Sequence, residues 1–245
     1  MWRGRAITDA AKVEKFLREV VAPRLHDGGD SFEDELRAAA TTGMATEFVE
    51  KFLKAVPSPE AWEVGEVFAE CILSADPKSG EIVWPWNGRR DRKTPRASLP
   101  GADLVGLCKR DAAVFFLLGE VKTSSDANAP PGVMVGGTGM IWQLCENASR
   151  LDIQHALLKW LRSRCSTPEL RNLYRDALQR FVASTGKELL LVGVLVRDTQ
   201  PNELDLQNRA AALAKTVKAP AKAELHAFYV PPELEKWPGL VRGKS

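Results

Sequence analysis

This 245-residue chain has few cysteines, few histidines and no long apolar run. Its four cysteines, Cys71, Cys108, Cys145 and Cys165, are scattered without a CxxC pair, and none of the histidines (His26, His155, His226) adjoins a cysteine. A structural zinc site needs a tight cluster of such ligands, so the pattern argues against one and free thiols are expected. The longest apolar runs, AVFFLL and LLLVGVLV, fall far short of the ~20 residues that a membrane-crossing helix requires. The opening MWRGRAITDAAKVEKF has no apolar core of the kind that a signal peptide carries. A cytoplasmic protein with no membrane partner is the expectation. Strong charge of one sign is missing too. A net charge of +2 neither demands nor excludes nucleic acid, so local patches decide.

What is present is an alternation of helical and strand-like patterns. Helical stretches run over Asp9–Glu19, Phe32–Ala39 and Ala45–Ala55, and Pro57 and Pro59 close this part, so residues 1–57 read as an N-terminal helical cap or extension. Glu60–Ala75 is a further helix, with Val64, Val67, Phe68, Cys71 and Ile72 at helical spacing. Glu63, Glu66 and Glu70 fall three or four apart and line a neighbouring face. Strands are expected at Glu81–Trp86, Ala102–Cys108 and Ala113–Thr123. A long loop rich in Gly, Pro, Ser and Asn follows to Gly139 and suits a mobile lid. Then come helices over Met140–Arg164 and Pro168–Ser184, a buried strand at Leu189–Val196, a helix over Leu204–Val217 and a strand at Glu224–Val230. Residues 58–232 form the core, and 233–245 read as a flexible tail. The fold class is α/β, a mixed central sheet with helices on its faces and extra helices at the N-terminus.

The chemistry concentrates in two neighbouring strands, Gly101-Ala-Asp-Leu-Val-Gly-Leu and Leu118-Gly-Glu-Val-Lys-Thr-Ser. If Asp111 and Ala112 form a two-residue hairpin loop, Arg110 pairs with Ala113 and, counting outward, Asp103 pairs with Glu120. Cross-strand partners share a face at roughly 4.5–5.5 Å between Cβ atoms. Two carboxylates so placed repel unless a counter-charge joins them, and a divalent cation supplies one. Lys122, two residues beyond Glu120, projects on the same face, and Val121 points into the core. Just before the Asp103 strand, NGRRDRKTPRAS carries Arg89, Arg90, Arg92, Lys93 and Arg96 against a single Asp91, a positive loop suited to phosphate-backbone contact. Trp84 and Trp86 read as packing residues.

The D-(x)n-E-x-K pattern on a hairpin resembles the PD-(D/E)xK nuclease superfamily. Pro100, Asp103, Glu120 and Lys122 match its centre, although Pro100 is not directly before the aspartate. The resemblance implies a restriction-endonuclease-like core: a helix carrying a glutamate, three strands, a helix and a fourth strand, an order that residues 60–198 offer. It implies a Mg2+-dependent deoxyribonuclease, with Mn2+ able to substitute. Asp103, Glu120 and the Val121 carbonyl would hold the metal, Glu66 or Glu70 would help, with Glu66 favoured, and Lys122 would act in catalysis. Gln143 or Gln154 would fill the polar role that some members place on the following helix. The arrangement is also similar to nuclease subunits of bacterial antiphage systems such as Hachiman, which implies an effector in antiviral defence. The resemblance covers about half the chain. The modest net charge suggests that a helicase or translocase partner supplies much of the DNA binding.

E-x-K alone is a weak signal, since it stands at the solvent end of many strands. The non-enzymatic alternative is a nucleic-acid-binding or assembly subunit with the same fold. Two facing carboxylates argue against it, because a binding scaffold does not need them.

Overall fold

An unbroken apolar stretch that forms a strand must be buried on both faces, and such stretches make the centre of this protein. The structure, a computed structural model, describes residues 1–26, 32–88, 90–91, 101–231 and 233–242. Its strands are β1 (Trp2–Ala6), β2 (Glu81–Val83), β3 (Leu104–Arg110), β4 (Ala113–Ser124), β5 (Leu189–Arg197) and β6 (Lys222–Tyr229). They form one six-stranded sheet in the order β1-β6-β5-β4-β3-β2. β2, β3 and β4 are an antiparallel meander, and β5, β6 and β1 run parallel to their neighbours from β4 outward. β5 is buried at all nine of its positions.

Alternation along β4 sorts two cores. Phe115, Leu117 and Val121 face one layer, and Val114, Phe116 and Leu118 the other. The first layer is built by α1 (Ala10–Phe16), a π-helical turn at Leu17–Val21, α2 (Ala22–Leu25) and α5 (Ala61–Ser74). The second is built by α6 (Met140–Ser149), α7 (Leu151–Arg164), α8 (Pro168–Ala183) and α9 (Gln207–Thr216). Two further helices, α3 (Phe32–Ala39) and α4 (Gly43–Lys54), pack chiefly on each other. The expected α/β class, a mixed sheet between helical layers, is what forms. Among the described residues no helix is long and apolar enough to cross a membrane.

Several boundaries differ from expectation, each for a physical reason. Residues 1–57 are not all a helical cap, because Trp2–Ala6 joins the main sheet parallel to β6, from Trp2 opposite Leu225 to Ala6 opposite Tyr229. This short strand carries Arg3 and Arg5, which pair with Asp76 and Glu224 rather than with a core, so no apolar pattern betrays it. The strand expected to reach Trp86 stops at Val83, and Pro85 just beyond lacks the N–H that a ladder needs. Helix Met140–Arg164 is broken at Arg150, whose backbone is extended (φ −89°, ψ 105°). The segment expected to be a flexible tail holds a 3-10 turn at Leu234–Lys236 and α10 (Trp237–Leu240). Trp237 is fully buried there, with its ring 5.0 Å from that of Phe68 on α5.

Candidate active site

The hairpin between β3 and β4 sets the site. Asp111 and Ala112 both adopt positive φ (51° and 59°), the signature of a tight two-residue turn whose twist matches its strands. Arg110 pairs with Ala113, and the register runs unbroken to Leu104 opposite Gly119. Beyond that register the Asp103 N–H donates to the Gly119 carbonyl at 2.9 Å, and the Asp103 carboxylate lies beside that of Glu120. Here the ladder between the two strands ends. The Val121 N–H donates to Asp103 Oδ2 at 2.9 Å, which fixes the carboxylate against the strand it faces.

Glu120 is 2% exposed. Lys122 Nζ lies 2.6 Å from Glu120 Oε1. Burial, reinforced by the Asp103 charge, pushes the Glu120 carboxyl up to about 8 even though Lys122 pulls it down. Burial and the neighbouring Asp103 carboxylate thus disfavour the ionised form of Glu120, and a divalent cation bound there would favour it. Val121 points away into the first core, as its place between Glu120 and Lys122 requires.

Helix α5 brings the acidic series together and assigns each glutamate a separate position. Glu63 caps the helix, accepting from the Glu60 N–H at 2.8 Å. Glu70 is buried against Arg24, whose Nε donates to it at 2.8 Å and which also donates to the Trp86 carbonyl. Burial raises the Glu70 carboxyl and Arg24 opposes that rise. Glu66 reaches a cleft of about 460 Å³ with Asp103, Glu120 and Lys122. It arrives from the layer opposite Glu120, where the sheet has not yet begun at Asp103. Gly65 makes this approach possible, since a Cβ there would stand 2.2 Å from Thr123 Cγ2 on β4. Of the two candidate helix glutamates, only Glu66 lines this cleft.

The same cleft takes in Gln143 of α6, whose buried Oε1 has no hydrogen-bond partner among the described residues. Gln154 is elsewhere, donating to the Asn147 and Ala148 carbonyls. Trp62 and Val133 also line the cleft, and the sequence reading passed over both. Trp62 stands one helical turn before Glu66, so its spacing was a usable signal. Val133 comes from the long loop and carried none. Trp84 donates to the Glu70 carbonyl and Ser74 Oγ, and Trp86 stacks on Trp160 at 5.5 Å; both serve packing.

Of the expected phosphate-contacting residues, Arg89, Arg92, Lys93 and Arg96 lie outside the described residues, as does Pro100. Arg90 donates at 3.0 Å to both Asp91 Oδ2 and the Pro85 carbonyl, so it braces its own turn.

A divalent cation suits this donor set. Asp103 and Glu120 supply hard carboxylate oxygens, Glu66 a third on the same cleft, and the Val121 carbonyl a neutral one. Among the described residues, however, no three His, Cys, Asp or Glu side chains converge tightly enough to form a ready metal cluster. Water and substrate oxygens would complete the shell, as is usual for Mg2+. No protein-family model and no curated protein sequence matches the chain.

Proposed function

We propose that this chain is a Mg2+-dependent nuclease, with Mn2+ able to substitute, that hydrolyses phosphodiester bonds of DNA on a restriction-endonuclease-like core. The carrying observation is the Asp103 carboxylate beside that of Glu120, with the Lys122 ammonium 2.6 Å from Glu120, in one cleft with Glu66. The order of α5, the β2–β3–β4 meander, helices and a parallel β5 supports the PD-(D/E)xK resemblance. So does Gln143 Oε1, without a hydrogen-bond partner among the described residues, on the helix after the candidate active-site strand.

Asp103, Glu120, Glu66 and the Val121 carbonyl would hold the metal. A bound divalent ion would make water a better nucleophile and polarise the phosphoryl group. Lys122 carries three N–H donors; Glu120 occupies one, and the others are available to orient the attacking water or to stabilise charge on the phosphoryl oxygens. The water oxygen forms the new bond to phosphorus and releases a proton to solvent, the bond from phosphorus to the sugar oxygen breaks, and that oxygen takes a proton from solvent. Arg89, Arg92, Lys93 and Arg96 are proposed to contact the backbone beside the cleft, and a helicase or translocase partner to supply further DNA binding. Antiphage defence in the cytoplasm is the biological setting that this reading suggests.

One observation favours the other reading, a non-catalytic nucleic-acid-binding or assembly subunit. It is the lack of a tightly converged metal cluster among the described residues. Cleavage of plasmid and linear DNA with Mg2+, Mn2+ or EDTA separates the two. Metal-dependent cutting that falls by roughly a hundredfold or more in Glu120→Ala and Lys122→Ala is the expected result. Salt-sensitive binding without cutting, indifferent to EDTA, would replace it with the binding subunit.

A further inference from the structure

Trp62 is 45% exposed and lines the cleft that holds Asp103 and Glu120. It lies four residues before Glu66 on α5, so the indole and the carboxylate share one helix face. Across the cleft, Val133 is 37% exposed, giving a second apolar surface near the carboxylates. The cleft thus divides by chemistry. Its floor is charged, and its rim carries an aromatic ring and an aliphatic side chain.

At about 460 Å³ the cleft falls in the range of small-ligand pockets, roughly 300–1,000 Å³, and has room for one nucleotide. Among the described residues lining it, Lys122 is the sole cation against Glu66, Asp103 and Glu120. A cation held by these carboxylates would supply the charge for a phosphate, and the aromatic face offers the base an attraction that does not depend on charge.

Resting on the nuclease reading above, we propose that the cleft takes an unpaired nucleotide. The substrate is then single-stranded nucleic acid or a frayed duplex end. The base stacks on Trp62, and its phosphate lies toward Lys122 and the carboxylate pair. Trp62 is the specificity-determining residue, because every base has a stacking face but a paired base cannot present it from within a helix. The site would accept any base in preference to a particular sequence.

The test measures binding and cleavage separately. Fluorescence anisotropy in EDTA reads the affinity of a labelled thymidine oligonucleotide, the same oligonucleotide with an abasic site, and a blunt duplex. Wild type is compared with Trp62→Ala and Trp62→Phe, and thermal unfolding checks that both variants fold. The expected result is tighter binding of the single strand than of the duplex by wild type. Trp62→Ala should weaken single-strand binding about 5- to 150-fold, with Trp62→Phe recovering much of it. Cleavage in Mg2+ should follow the same order of substrates. Equal single-strand affinity in wild type and Trp62→Ala, or preferred cutting of intact duplex, overturns the proposal while leaving the nuclease reading in place. A wild type that neither binds nor cuts any of the three overturns both.

Discussion

At Glu120 the chain places a carboxyl group where burial and the facing Asp103 both oppose its charge, and Lys122 at 2.6 Å offsets only part of that cost. Its carboxyl is raised to about 8 from the ordinary 4.5, so the folded protein holds this proton more tightly than the unfolded chain does. The sign follows from linkage. The contribution to stability is fully present below about pH 4.5 and is lost as pH rises through about 8. Glu120→Gln cannot ionise and lacks this decline. Urea midpoints measured in EDTA across that window should fall more steeply with pH in wild type than in Glu120→Gln. Parallel profiles would mean that the carboxyl is not strained as described. The hairpin that brings these residues near each other, with Arg110 opposite Ala113, was legible in the sequence because strand alternation and a two-residue turn leave few possible registers. The division of labour among Glu63, Glu66 and Glu70 was not. It depends on the cap formed with Glu60 and on Arg24, which arrives from 46 positions away.

Helix α5 is the element that joins site to core. Glu66 and Trp62 occupy its cleft-facing side, and Val64, Val67 and Phe68 its buried side. Phe68 is in turn packed by Phe16, Phe228 and Trp237, whose ring centroids lie 5.7, 6.0 and 5.0 Å away. The C-terminal segment, although polar enough to read as a tail, therefore braces the helix that carries the third carboxylate. Trp237→Ala should cost about 3–5 kcal/mol in urea unfolding, the usual loss for a buried large aromatic. A cost below ~1 kcal/mol would show that α10 is dispensable to α5. The sequence concealed this because a single tryptophan flanked by Pro, Glu and Lys has no periodicity to report. β1 was hidden for a similar reason: five residues with two arginines read as polar, and only β6 gives them a partner.

In the whole molecule, a central sheet buried between two helical layers brings Glu66 of α5 into one cleft with Asp103, Glu120 and Lys122. The apolar runs and their order were sufficient to reach this architecture, since a strand buried on both faces requires helices on both sides. They did not reveal how the layers meet at the cleft. That depends on Gly65 allowing close approach to Thr123 and on Val133 being carried in by the long loop. The central claim is that this meeting point is a divalent-cation site made by two facing carboxylates. Calorimetric titration of Mn2+ into wild type, Asp103→Asn and Glu120→Gln tests it without reference to any substrate. The account predicts saturable binding by wild type, weakened about tenfold or more in each variant. No saturable binding by wild type, or equal binding by all three proteins, would contradict it.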